Sequence, residues 1–316
     1  MTLYLSHISA LQSLRFMGDR PLRLADGFQA SAPSADEVRA LARKGLPWLS
    51  KPFHLMTASA NLRTRCAGAV CHVPPKRHAC GCFVYVCEGI CASSPEACFV
   101  QLATVVTLVR LIEVGCELCG TYRRAGNERG YVRAKPLTCV AKLRKHLDGS
   151  QGVTGAKRAR QALDFVVDGS ASPMETVVVA FACLPPRLGG YGIPFPVMNG
   201  LVEVPASMRK SVSKSRYYCD LYWPDVRLAL EYESDERHTG SGRIFRDSSR
   251  RADLAHLGVE VVTLTKLQLF DRREFEKVIA LLKKRLGCSR RSSQRYWTPE
   301  HVALRRELLD FSRRDV

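Results

Sequence analysis

Three carboxylates fall on two neighbouring stretches of the sequence CDLYWPDVRLALEYE, residues 219–233. Asp220 precedes a Trp-Pro-Asp turn, and Glu231 and Glu233 follow it. Because side chains two apart in a strand point to the same face, Glu231 and Glu233 share a face, and the turn brings Asp220 to the distance of a cross-strand partner. Carboxylates that converge on one patch repel one another, and a hard divalent cation relieves that repulsion. The pattern therefore predicts a site for Mg²⁺ (or Mn²⁺), an ion that can activate water and stabilise charge on a phosphate.

The elements predicted for the second half of the sequence could position this patch. A helix begins at Ser172 as N-cap, with Pro173 in its first turn. Three strands, a helix that ends at Gly258, a further strand and an amphipathic helix that ends at Gly287 follow. The helix between the last two strands is a crossover, so those strands can be parallel in one sheet. The predicted strands are about 200–204, 216–222, 227–233 and 259–265.

The length of 316 residues predicts two domains. The predicted elements indicate an α/β protein that ends in a tail. An N-terminal α+β domain covers 1–150 and ends in a basic linker. A second domain, with a mixed sheet flanked by helices, covers 151–287, and 288–316 form a basic helical tail. In the first domain the patterns predict a capped helix, a strand and one long buried helix, at 34–46, 82–90 and 93–115.

The charge balance favours a polyanionic partner. The chain has 48 Lys and Arg against 30 Asp and Glu, a net charge of +18. Nucleic acid is the expected partner, and a solvated basic surface without a partner is the alternative. Half of the excess lies in 121–160, where eleven basic residues stand against Glu128 and Asp148. This segment is interpreted as a linker with a basic helix, either a phosphate-contacting surface or a solvated connector.

The 13 cysteines are expected to be free thiols in a reducing cytoplasm. The sequence shows no transmembrane run and no convincing signal peptide, so a membrane partner is not expected. Candidate zinc ligands cluster in the first half, but the paired C-x-x-C pattern of zinc sites is absent and zinc is not expected. These candidates are Cys66, Cys71, His72, His78, Cys80, Cys82, Cys116 and Cys119.

Residues 172–286 resemble the PD-(D/E)XK nuclease fold, and more narrowly a small domain related to very-short-patch-repair (Vsr) endonucleases. The resemblance rests on four motifs that occur in the family's order. They are Ser-Pro-x-Glu at 172–175, Asp-hydrophobic-x-Trp-Pro at 220–224, Glu-Tyr-Glu at 231–233, and a helix with Asp247, Arg250, Arg251 and Leu254 before Gly258. The fold that this resemblance implies is a restriction-endonuclease-like mixed sheet flanked by helices, and the activity is metal-dependent hydrolysis of DNA.

The resemblance also implies roles for individual residues. Asp220 and Glu231 would be metal ligands, and Glu175 a further ligand or a group that orients water. Glu233 stands where the signature often has a lysine, and His238 could act as general base or bind the leaving phosphate. The cations expected to contact DNA in this half are Arg209, Lys210, Lys214, Arg216, Arg250 and Arg251.

Structural alternatives exist for several of these residues. An acid such as Glu175 near a helix N-terminus is favourable whatever its function. Asp247 and Arg251 are four residues apart on a helix and are interpreted as an ordinary ion pair. Without the lysine two residues after Glu231, the alternative function is a catalytically inactive DNA-binding regulator or antitoxin that retains the nuclease fold.

The segment CEGICASSPEACFVQLATVVTL, residues 87–108, faintly resembles bacterial AbiEi-type antitoxin relatives. That resemblance implies a bacterial protein in a toxin–antitoxin or phage-defence setting. A cognate toxin or antitoxin protein would then be a second partner beside DNA.

Overall fold

The structure, a computed structural model, describes residues 2–25, 34–43, 45–59, 61, 67–74, 82–233, 241–288 and 297–309. It is a mixed α/β protein, and its chain divides into two compact units between Asp168 and Gly169. We call these unit 1 and unit 2. In the described part of the chain, no helix is both long and apolar enough to cross a membrane.

Unit 1 contains a five-stranded mixed sheet with the order β3-β2-β1-β5-β4. Strand β1 is parallel to β5 and antiparallel to β2, whereas β2 and β3 are parallel. The strands are β1 (Leu3–Leu5), β2 (Phe53–Met56), β3 (Ala69–His72), β4 (Phe83–Cys87) and β5 (Ile90–Ser93). The helices are α1 (His7–Met17), α2 (Ala35–Arg43), α3 (Pro95–Leu102), α4 (Leu108–Leu118), α5 (Val140–Asp148) and α6 (Ala156–Leu163).

The single long helix expected over 93–115 is two helices, α3 and α4. Helix α3 ends at Leu102, and α4 begins after its N-cap Thr107. The side chain of Thr107 accepts the N–H of Arg110 at 3.1 Å. Between the two helices lies the run Thr104-Val105-Val106-Thr107. β-Branched side chains lower helix propensity, and a threonine gains a hydrogen bond as N-cap that it cannot make inside a helix. Likewise the strand expected over 82–90 ends at Cys87, and the chain turns into β5.

The basic segment 121–160 forms elements of unit 1, so the interpretation as a linker is wrong for its first part. The segment begins with a two-stranded hairpin of β6 (Tyr122–Arg124) and β7 (Tyr131–Arg133). Arg124 is buried and binds both Glu113 and Glu117 of α4, and Arg15 binds Glu117 at 2.8 Å. Buried charges need such partners, because unpaired they would lose their hydration without compensation.

The boundary expected near residue 150 lies inside unit 1. Helix α6 packs against α4 and α5, so the segment that follows residue 150 belongs to the first unit. Ala159 and Ala162 are the fully buried residues of that helix, and their small side chains allow this close approach.

Unit 2 contains a four-stranded sheet with the order β11-β10-β9-β8. Strands β8, β9 and β10 are antiparallel neighbours, and β10 is parallel to β11 through the crossover α8, as predicted. The strands are β8 (Val197–Glu203), β9 (Arg216–Trp223), β10 (Leu228–Glu233) and β11 (Glu260–Thr265). The helices are α7 (Pro173–Cys183), α8 (Ser241–His256), α9 (Lys266–Phe270), α10 (Arg272–Arg285) and α11 (Pro299–Leu309).

The helix expected in the C-terminal tail is present as α11 and packs within unit 2. It contacts α7 and the short 3-10 helix Pro186–Leu188. Leu304 and Leu308 are buried, and the guanidinium of Arg305 lies over the ring of Phe181. Helix α11 is therefore part of the core of unit 2.

Gly189 marks the tightest approach between α11 and the loop before β8. Its φ is +83°, and a Cβ at this position would overlap the backbone oxygen of Glu300. Gly192 also has a positive φ, +65°, but its Cβ would only meet Pro186 at 3.6 Å. We expect Gly189→Ala to lower the free energy of unfolding by roughly 2–4 kcal/mol, and the matched control Gly192→Ala by about 1 kcal/mol. Equal effects in urea denaturation would contradict this packing of α11.

Candidate active site

Asp220 lies at the centre of a cluster of three carboxylates in unit 2. It projects from β9, and the register that pairs Leu221 with Leu230 places it beside Glu231 of β10. Its Oδ2 accepts the backbone N–H of Tyr232 at 2.9 Å. The third member is Glu175 in the first turn of α7. We call Glu175, Asp220 and Glu231 the carboxylate cluster, because the charge of Asp220 acts on both glutamates.

The carboxylate of Glu175 is held by a dense set of hydrogen bonds. Ser172 caps α7 by accepting the N–H of Glu175 at 3.1 Å, and its hydroxyl donates to Oε1 at 3.0 Å. The backbone N–H of Ala171 and the amide of Asn199 donate to Oε2 at 2.8 and 3.0 Å. The helix N-terminus therefore explains the local position of this acid. It does not explain why its side chain is buried at 7% exposure beside a second acid.

Burial and the nearby charge of Asp220 raise the pKa of Glu175 to about 7, although the hydrogen bonds from Ala171, Ser172 and Asn199 act to lower it. Burial and Asp220 likewise raise the pKa of Glu231 above its ordinary value. Both shifts have the same physical origin, since a low-dielectric site with several carboxylates disfavours their simultaneous ionisation. A group whose pKa is close to neutral is suited to proton transfer.

Two arginines of α8 compensate the acids of β10. Arg250 binds Glu231 Oε1 at 2.9 Å and also donates to the carbonyl of Tyr218 at 2.6 Å. Arg251 binds Glu233 at 2.5 Å in a more exposed pair. In this arrangement Arg251 meets an acid of the sheet, whereas the sequence predicted that it would pair with Asp247 of its own helix. Asp247 lines a pocket together with Glu233 and both arginines.

The donor set of the cluster suits a hard divalent ion. Among the described residues, the carboxylates of unit 2 do not form a group of three ligand atoms all within 4.8 Å of one another. Magnesium does not need such a cage, because it keeps several waters and is commonly held by one or two carboxylates together with substrate phosphates. Asp220 and Glu231 are the two residues that could hold it, and an ion there would relieve the charge repulsion that adds to burial in raising the pKa values of both glutamates.

The cations predicted to contact DNA lie in two places. Arg209, Lys210, Lys214 and Arg216 are exposed on the connection between β8 and β9 and at the start of β9. Asp253 of α8 holds this connection, since it accepts hydrogen bonds from Ser213 and from Tyr217 at 2.6 and 2.7 Å. Arg250 and Arg251 are engaged with glutamates. His238, the proposed base, lies outside the described residues.

The zinc candidates of unit 1 do not assemble as a cysteine site in the described chain. Cys116 and Cys119 are buried, and Cys116 Sγ accepts the N–H of Val167 at 3.5 Å. Burial raises the pKa of Cys116 to about 12, which keeps the thiol protonated and a poor ligand. Cys66, His78 and Cys80 lie outside the described residues.

The structure brings together a group that the sequence did not predict. His72, one of the zinc candidates, meets His7 and His54, and their ligand nitrogens all lie within 4.8 Å of one another. The spacing of these residues along the chain matches no local metal motif. Only the pairing of β1, β2 and β3 could have revealed the group.

Comparison with known proteins gives distant relatives without an assigned activity. The chain is 29% identical over 140 residues to the uncharacterized proteins Rv2248 and MT2308 from two strains of Mycobacterium tuberculosis. The similarity covers 44% of this chain and 46% of the mycobacterial proteins, so it spans less than half of their length. No protein-family model matches the chain, and no solved structure matches it.

The raised pKa of Glu175 predicts how the stability of the protein depends on pH. An acid with a higher pKa in the folded state binds more protons there, so stability falls as pH rises from the ordinary value of 4.5 through about 7. Glu175→Gln removes this titration. Between about pH 5 and pH 8 we expect the wild type to lose roughly 1–3 kcal/mol more free energy of unfolding than the variant.

Urea denaturation across this pH range is the measurement, and Glu203→Gln, at an exposed position of β8, is the control. The control should follow the wild type. Identical pH dependence for Glu175→Gln and the wild type would show that Glu175 titrates in its ordinary range, contrary to the geometry of the cluster.

Proposed function

We propose that unit 2 is a metal-dependent nuclease that hydrolyses phosphodiester bonds of DNA with Mg²⁺ or Mn²⁺. The observation that carries this proposal is the carboxylate cluster, in which burial and the neighbouring charge of Asp220 raise the pKa values of both Glu175 and Glu231. Acids buried together have little structural use, and strongly perturbed carboxyl groups gather at functional sites. The positive charge of the chain would attract the phosphodiester backbone of DNA, and the acidic cluster would supply the ion site.

The arrangement of unit 2 supports the restriction-endonuclease-like interpretation. A helix, three antiparallel strands, a crossover helix and a parallel strand follow in the order that the resemblance to PD-(D/E)XK nucleases implies. Glu175, Asp220 and Glu231 lie on the first helix and on the two middle strands. These are the positions at which the motifs of the sequence placed them.

Each residue of the site would have a different role in hydrolysis. Asp220 and Glu231 would hold the ion, which when bound supplies a polarised water and positive charge at the phosphate. Glu175, whose ionised form the ion would favour, could accept a proton from that water at neutral pH. Arg250, at 2.9 Å from Glu231, offers the positive charge that the missing lysine would otherwise provide.

The exposed cations between β8 and β9 would bind the phosphate backbone. Phosphate contacts position a protein on DNA without specifying sequence, and lysine and arginine side chains are their usual source. Since Asp253 fixes this connection to the helix that carries Arg250, the basic surface and the carboxylate cluster are joined through one element. The toxin–antitoxin or phage-defence setting, with its cognate protein partner, remains a proposal from the resemblance in unit 1.

A second candidate function follows from the ion pair between Arg250 and Glu231. The guanidinium already neutralises the carboxylate that would bind the metal, as expected of a fold that has lost its chemistry. Together with the missing lysine, this favours a DNA-binding regulator that does not cleave. The two candidates differ in whether a divalent ion displaces Arg250 from Glu231.

Cleavage of plasmid and single-stranded DNA with Mg²⁺ or Mn²⁺ tests the nuclease. Asp220→Asn and Glu231→Gln keep the size of the side chain but remove its charge, so we expect each to lower the cleavage rate by about 100-fold or more. Asp225→Asn, in the exposed turn between the same strands, is the matched control and should cleave as the wild type does. Equal cleavage by the wild type and all three variants would show that the activity does not depend on the carboxylate cluster. If none of the four proteins cleaved DNA, the result would favour the DNA-binding regulator.

DNA binding in the absence of divalent ions tests the basic surface. We expect the triple variant Arg209→Ala/Lys210→Ala/Lys214→Ala to bind more weakly and to reduce the slope of log affinity against log salt by about 2–3, since each phosphate contact contributes about 0.9. Lys277→Ala, which removes an exposed lysine paired with Glu274 on α10, is the control. An unchanged salt slope in the triple variant would move the DNA surface away from this connection.

A further inference from the structure

Three of the eight histidines of the chain meet where β1, β2 and β3 lie side by side in the sheet of unit 1. His7 follows β1 directly, His54 lies within β2, and His72 is the last residue of β3. These strands are neighbours in the order β3-β2-β1, which brings residues distant in sequence to one point. We call His7, His54 and His72 the histidine cluster.

The rings of the cluster are in direct contact. His54 Nδ1 lies 2.9 Å from His72 Nε2, so two ring nitrogens face each other and share one hydrogen bond. The ring of His7 is stacked on that of His72 with 3.6 Å between the centroids. His7 and His54 are 5% and 7% exposed, whereas His72 is half-buried and gives the cluster its side toward solvent.

His7 is held in place at an unusual backbone geometry. Its φ is +48°, which costs free energy in any residue other than glycine and persists only where the surroundings enforce it. Its N–H donates to Gln101 Oε1 at 3.0 Å, and its Nδ1 lies 3.0 Å from Ser6 Oγ. An outer partner such as Ser6 orients the ring of a metal-binding histidine, and a hydroxyl at one ring nitrogen leaves the other for coordination.

We propose that the histidine cluster is a binding site for Zn²⁺. Imidazole nitrogen is a preferred ligand of zinc, whereas Mg²⁺ prefers oxygen ligands and keeps its waters. Three histidine ligands leave one tetrahedral position for water or a further donor, on the half-buried side of His72. Of the zinc candidates in the sequence it includes only His72, and none of its residues belongs to the carboxylate cluster of unit 2.

Zinc would replace the hydrogen bond between His54 and His72. Zinc–nitrogen bonds of about 2.0–2.1 Å would place the ion between the ring nitrogens. The His72 ring is stacked on the ring of His7, so it would have to rotate for both rings to direct a nitrogen at the same ion. Binding would join β1, β2 and β3 through side chains far apart in sequence. The ion would therefore stabilise the pairing of these three strands in the folded state.

Zinc retention by the full-length protein tests the proposal. The protein is stripped with a chelator, reloaded with Zn²⁺ and desalted, and the bound metal is measured together with its X-ray absorption spectrum. We expect imidazole scattering in the zinc shell, and about 100-fold weaker zinc binding in His54→Asn and His72→Asn. His146→Asn, a half-buried histidine of α5 outside the cluster, is the matched control and should bind zinc as the wild type does.

The spectrum of the wild type decides the question if a variant fails to fold. A zinc shell with imidazole scattering supports the histidine cluster. A protein that retains no zinc, or a shell of sulfur without imidazole, would overturn the proposal. It would also be overturned if the two cluster variants bound zinc as tightly as His146→Asn.

Discussion

The charge of Asp220 between two buried glutamates is the interaction on which the site of unit 2 depends. Burial and this charge raise the pKa of Glu175 from 4.5 to about 7, which corresponds to roughly 3 kcal/mol against ionisation. Neutral and charged donors limit this cost without removing it: Ser172, Ala171 and Asn199 at Glu175, and Arg250 at Glu231. These donors come from the N-terminus of α7, from β8 and from α8. A divalent ion would offset the remainder, and this is the physical basis of the proposed activity.

The parts of this site that depend on local rules could be predicted from the sequence. The alternation of side chains in β10, the turn before it and the capping serine of α7 placed Asp220, Glu231 and Glu175 on the correct elements. The partners of those acids could not be predicted. Spacing on α8 indicated a pair between Asp247 and Arg251, but the crossover lays that helix against the sheet, where Arg251 meets Glu233. Which of two available acids an arginine binds is decided by tertiary packing.

Unit 1 shows the same limit more strongly. A count of charges treats Arg124 as surface, although it is buried between two glutamates of α4 and contributes to the core. The histidine cluster has no signature in the sequence, since its members become neighbours only when β1, β2 and β3 pair. The break between α3 and α4, in contrast, has a local cause in a β-branched run followed by a capping threonine. Sequence patterns therefore located the elements better than the contacts between distant ones.

The proposed activity requires that like-charged carboxyl groups in unit 2 are coupled and that a divalent ion relieves the coupling. Carboxyl-carbon NMR of protein labelled at its glutamate side chains measures this directly, with the resonance of Glu175 assigned from its absence in Glu175→Gln. We expect Glu175 to titrate near pH 7 without divalent ions and at a lower pH in saturating Mg²⁺. A titration in the ordinary range of glutamate, or one near pH 7 that Mg²⁺ leaves unmoved, would contradict it.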